Sequence, residues 1–155
     1  MIRSSTLLRT IAGFLKLGPH RRGLALECWI RLLRMRMRVR AGRIDRLTSE
    51  IDARAGRGAR CTTLAPADVL QLLTAAARRT WPAPTCLTTA VTGYALLRER
   101  GVPAVLVIGG RTSAGRFEAH AWLELAGEVV IGAPNAGYAA IWQWPGGNKD
   151  IACPP

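Results

Sequence analysis

Two histidines are all that the 155 residues contain, and the four cysteines include no Cys-x-x-Cys pair. No histidine lies at metal-ligand spacing from any cysteine, which argues against a structural zinc site. Acids are scarce as well: 10 Asp+Glu stand against 22 Lys+Arg, for a formal net charge of +12. No uninterrupted apolar stretch reaches the roughly 20 residues that a bilayer span requires. The opening run, Met1 to Lys16, is interrupted by Arg9 and has no clean small-x-small cleavage site, so it reads poorly as a signal peptide. The expectation is a cytoplasmic protein with reduced thiols.

Hydrophobic residues make up 49% and charged residues 21%, an ordinary globular balance rather than a disordered one. The positive charge is unevenly placed. Residues 1–60 hold 15 Lys+Arg and 4 Asp+Glu; residues 61–155 hold 7 and 6. The chain therefore divides into a basic helical segment, 1–60, and a core, 61–155. The default for such a segment is a solvated face. It also suits the acidic surface of a partner, or weak contact with an anionic membrane surface. Nucleic-acid binding would explain the charge too. Against it, Trp29 is the only aromatic among the arginines and no nucleic-acid motif is present.

Spacing predicts helices first. Residues 1–17 offer Leu7, Leu8, Ile11, Phe14 and Leu15 to one side, and Gly18-Pro19 ends that run. Leu26, Trp29, Ile30, Leu33 and Met37 repeat at three and four, the helical interval. Arg34 to Arg40 also alternates as a strand would, but its length and helix formers favour a helix. Ala41-Gly42 breaks it, and Ile44 to Ala53 reads as a further short helix. Pro66 opens another, which closes at Arg78-Arg79. Two prolines, Pro82 and Pro84, then precede a helical run from Cys86 that stops at Gly101. Strands follow: 103–110 by its β-branched run, 117–125 by alternation, 128–131 after the Ala126-Gly127 turn, and Tyr138 to Trp144 as an edge. Helices ahead of an antiparallel sheet make an α+β layout.

The chemistry is concentrated in two of these elements. Cys86 falls in the first turn of a helix, with Thr85 or Cys86 at the cap, where unpaired N–H groups and the dipole favour a thiolate. His120 lies on the alternating strand, sharing a face with Glu118, Trp122 and Glu124, opposite Phe117, Ala119, Ala121, Leu123 and Leu125. His20 sits in a basic turn and reads as surface. A lone cysteine on an apolar helix is more often inert core than nucleophile. It becomes a candidate nucleophile when a base can reach it. Cys28, Cys61 and Cys153 read as structural or incidental.

Four blocks, Trp81-Pro82-Ala83-Pro84-Thr85-Cys86-Leu87, Leu96 to Ala104, Val107-Ile108-Gly109-Gly110-Arg111 and Phe117 to Glu124, resemble the B-type leader peptidases of lasso peptide biosynthesis. These are transglutaminase-like and papain-like cysteine hydrolases, and the resemblance covers about residues 66–145. It implies a core in which a helix carrying the cysteine packs on an antiparallel sheet carrying the histidine. It implies a protease that removes the leader from a ribosomal precursor peptide, in the split form with a separate leader-recognition protein, beside a macrolactam synthetase. The catalytic residues would be Cys86 and His120, with no metal or organic cofactor. The family has an aspartate twelve residues after the histidine, where this chain has Gly132; Asn135 could orient the imidazole instead, with Glu124 and Glu128 as more distant candidates. The competing reading is a non-catalytic peptide- or nucleic-acid-binding module with a degenerate triad.

Overall fold

A computed structural model describes residues 13–57, 64–135 and 137–145. Of the helical run expected over residues 1–17, residues 1–12 lie outside the described residues and 13–15 are helical; Cys61, Cys153 and the tail after Pro145 also lie outside them. Helix α1 spans Pro19–Arg40, α2 Ile44–Ala55, α3 Pro66–Arg79 and α4 Cys86–Arg98. Strands β1 (Ala104–Ser113), β2 (Arg116–Leu125), β3 (Glu128–Ile131) and β4 (Ala139–Trp144) follow. Among the described residues no helix is long and apolar enough to cross a membrane.

Pro19 takes the first position of α1, where its missing N–H costs no hydrogen bond. His20 therefore stands in the first turn of that helix rather than in a turn, although it is exposed, as expected of a surface residue. The alternating Arg34 to Arg40 stretch is helical. Leu24, Cys28, Leu32 and Met35 are buried at intervals of four and three, and that stripe carries the helix through the arginines. Pro66 likewise opens α3, which ends on Arg78 and Arg79. Helix α4 stops where Gly101 takes φ +75°. There the Val102 and Gly101 amides donate to the Leu97 and Arg98 carbonyls, a conformation glycine adopts without a Cβ clash.

The sheet is antiparallel with strand order β3-β2-β1-β4. Hairpins β1–β2 and β2–β3 turn through Ala114-Gly115 and Ala126-Gly127, both pairs at positive φ, the geometry that matches strand twist. The register sets Leu106 opposite Leu123 and Ile108 opposite Ala121. These residues, with Ile131, share one core with Leu72, Leu73, Val91, Tyr94 and Leu97. Helices α1 and α2 contribute Leu24, Leu32, Leu47 and Ile51 to the same core. The helical part thus leads into a sheet through one continuous apolar interior, the α+β arrangement expected.

Gly93 lets α4 settle onto the sheet. A Cβ there would meet Ile131 Cδ1 at 2.9 Å and Leu123 Cδ2 at 3.0 Å. Because α4 lies over Leu123 and Ile131, its first turn ends beside β3 rather than in solvent. A half-buried carboxylate locks the other end. Asp52 of α2 accepts hydrogen bonds from Tyr94 (2.6 Å), Arg98 (2.9 Å) and Trp144 (2.7 Å), joining α2, α4 and β4.

Candidate active site

Thr85 caps α4: its hydroxyl accepts from the Thr88 amide at 3.2 Å and shares a 2.9 Å contact with the Thr88 hydroxyl. A cap of this kind is worth about 1 kcal/mol. Cys86 is consequently the first helical residue, half-buried, and its sulfur is a free thiol. Among the described residues the amides of Cys86 and Leu87 have no acceptor, because the first bond of the helix is donated by Thr89 to the Thr85 carbonyl. Two unpaired donors at the positive end of a helix are a ready site for developing negative charge.

Cys86 opens onto a groove of about 400 Å³. Thr74, Ala77 and Arg78 of α3 form one wall, and Val129 to Ala133 form the other. Pro84 and Thr89 complete the rim around the sulfur.

Strand alternation puts His120 on the face of β2 that it shares with Trp122 and Glu124, while Ala121 and Leu123 point under α4. Its Nε2 lies 2.8 Å from the carbonyl oxygen of Gly132. A carbonyl can only accept, so Nε2 carries the hydrogen and Nδ1 is left as the basic nitrogen. Nδ1 makes no hydrogen bond among the described residues. The ring is walled by Trp122, stacked at 6.4 Å between centroids, and by Tyr138 at 5.4 Å. Tyr138 is held in turn: its hydroxyl donates to Glu118, and the Arg111 guanidinium stands 4.7 Å over its ring. Arg111 and Tyr138 together hold the Glu118 carboxyl below the usual glutamate range, with the Arg111 hydrogen bond the larger influence. Trp122 fits because its neighbour Gly109 has no side chain; a Cβ there would stand 2.5 Å from the indole.

Gly132 is the residue common to Cys86 and His120, but His120 itself does not line the groove and sits on the face of β2 turned away from α4. The glycine lines the groove into which the sulfur opens, and its carbonyl holds the imidazole. No direct hydrogen bond joins the two side chains. Catalytic contacts are often long in unliganded enzymes and tighten around substrate. Asn135 is exposed in the loop after β3, with no hydrogen bond to His120. Glu124 accepts from the Trp122 indole at 2.7 Å, and Glu128 is exposed at the start of β3. Gly132 was visible in the sequence only as a missing acid, since a backbone acceptor leaves no mark in side-chain chemistry.

Cys28 provides an internal contrast. It is fully buried in α1, and its pKa is pushed up to about 12, by burial first and then by the Glu27 charge. Brief treatment of the native protein with iodoacetamide at neutral pH is expected to alkylate Cys86 and spare Cys28. Peptide mapping by mass spectrometry reads this directly, and equal labelling of the two would mean Cys86 is no more available than a core thiol. No group of three or more potential metal ligands occurs among the described residues.

A family model described as transglutaminase-like superfamily matches residues 29–143. No curated protein and no solved structure matches the chain.

Proposed function

Since the chain belongs to the transglutaminase-like superfamily, we propose that it is a cysteine endopeptidase that removes the leader from a ribosomally made lasso precursor peptide. It acts in the cytoplasm with a separate leader-recognition protein and delivers the core peptide to a macrolactam synthetase. The sequence blocks around Cys86, Gly101 and His120 support the peptide class. One structural observation carries the chemistry: Cys86 at a capped helix start shares its groove with the residue that orients His120.

In this reading His120 Nδ1 takes the thiol proton and Cys86 Sγ attacks the carbonyl carbon at the leader–core junction. The amides of Cys86 and Leu87 hold the oxyanion. As the C–N bond breaks, the imidazolium returns its proton to the leaving amine, which becomes the N-terminus of the core peptide. The leader remains as a thioester on Cys86. Water, deprotonated by His120, then hydrolyses it and restores the thiol.

The competing reading, a non-catalytic peptide-binding module, draws on Gly132 standing where the family has aspartate. Incubation with precursor peptide and recognition protein, followed by mass spectrometry, separates the two. Wild type is expected to give free leader and core, and Cys86→Ala to lose roughly 10³-fold or more of the rate. The same product pattern from both proteins would end the protease reading.

A further inference from the structure

Helix α1 has two apolar faces. Leu24, Cys28, Leu32 and Met35 enter the core. Leu26, Trp29, Leu33 and Met37 do not: they are 51%, 45%, 38% and 66% exposed. At about 100° per residue this second stripe lies roughly half a turn away from the first, and it runs for about 16 Å, three helical turns. Beside its first half, Leu17, Ala25, Leu26 and Trp29 face Leu72 and Ala76 of α3 across a groove of about 480 Å³. A continuous exposed apolar surface of this kind is a binding surface.

The charges around it have one sign. Glu27 is the only acid of α1, and it is held by Arg31 and Arg100. Asp68 of α3 is taken by Arg21. Arg22, Arg36 and Arg40 fall on the same side of α1 as the exposed stripe, and Arg79 lines the groove. Arg22, Arg36 and Arg79 donate to the carbonyls of Leu15, Pro82 and Ala75, and none of these four arginines is in an ion pair among the described residues.

We propose that this face receives an acidic amphipathic helix presented by a partner protein. Its apolar side fills the groove and continues along Leu26, Trp29, Leu33 and Met37, and its carboxylates meet Arg22, Arg36, Arg40 and Arg79. A second copy of the chain is a poor occupant, since like faces would set arginine against arginine. A bilayer is poor as well, because Leu72 is recessed between two helices where a ridge fits and a flat surface does not. A nucleic acid would find only two exposed aromatics, Trp29 and Phe14, amid a row of aliphatic side chains. The proposal is independent of the protease reading, and either can fail alone.

The test titrates the full chain into a fluorescein-labelled synthetic helix with leucines on one side and glutamates on the other, read by anisotropy. Its lysine counterpart, phosphatidylcholine–phosphatidylglycerol vesicles and single-stranded RNA are run beside it, with sedimentation for self-association. The glutamate helix is expected to bind, to weaken as salt rises, and to lose at least about tenfold in affinity with Leu33→Glu and with Arg36→Glu. Arg54→Glu, on α2, should leave binding unchanged, and the lysine helix should not bind. Binding that Leu33→Glu and Arg36→Glu both leave intact overturns the proposal. So does preference for vesicles or RNA over the glutamate helix, or a dimer that Leu33→Glu dissociates. Both sites are at the surface, and an unchanged melting temperature confirms the fold; should Leu33→Glu unfold, Arg36→Glu decides.

Discussion

Asp52→Ala is expected to destabilise the protein by about 3–5 kcal/mol, the cost of leaving a buried cation without its counter-ion. The Arg98 side chain is only 6% exposed and its Nε donates to Asp52 at 2.9 Å. The same carboxylate accepts the Tyr94 hydroxyl and the Trp144 indole. Truncation would strand a guanidinium, a phenol and an indole N–H at once, and unpaired buried donors cost more than their bonds contribute. Tyr94 stays protonated, its pKa raised by burial first and by Asp52 second, so it remains a donor throughout. For a chain of this size the loss corresponds to a fall in Tm of roughly 10 °C by thermal denaturation. Tyr94→Phe gives the scale: it removes one donor and leaves the ion pair, so about 1 kcal/mol is expected. A melting temperature for Asp52→Ala within a degree or two of wild type would show that the cluster is incidental to the fold.

That cluster was not legible in the sequence, and the reason is general. Asp52, Tyr94, Arg98 and Trp144 come from three elements up to ninety-two positions apart, and periodicity reports only which face of its own element a residue occupies. Where one element decided the outcome, the sequence was readable. Pro66, the two prolines before Cys86, Gly101 and the Ala126-Gly127 turn each act through their own backbone, and each lies at the boundary expected of it. Alternation along 117–125 likewise assigned His120, Trp122 and Glu124 to one face. The start of α1 was only half read: a helical stretch at residues 13–15 does end ahead of Gly18-Pro19, as expected, but Pro19 also opens the next helix. The exposed stripe of α1 also carried the stronger helical signal, while the buried one, Leu24 to Met35, went unread. Two apolar faces on one helix cannot be ranked without knowing what packs against them.

Gly132→Ala should cut the rate of leader removal by roughly 10²- to 10⁴-fold, the range over which a misoriented catalytic imidazole loses activity. Gly132 has φ +71°, and a Cβ would stand 2.8 Å from the backbone oxygen of Ala121. Neither strand can yield without breaking the β2–β3 pairing at Leu123 and Ile131. The added methyl therefore drives the 132 carbonyl away from His120 Nε2, and the ring loses the contact that fixes its tautomer. Strain alone must be separated from this. Gly127→Ala does so: it also sits at positive φ, +83°, but nothing lies within 4 Å of its Cβ, so it carries the backbone penalty with no effect on the imidazole. Asn135→Ala completes the set and should retain the wild-type rate, because Asn135 is exposed and unbonded to the ring. Nitrogen NMR of the imidazole should show hydrogen on Nε2 in wild type and in Gly127→Ala, and a mixture of tautomers in Gly132→Ala. If Gly132→Ala turns over as fast as Gly127→Ala, the carbonyl does not orient His120. If Asn135→Ala loses the rate instead, a side-chain amide holds the ring in the working enzyme.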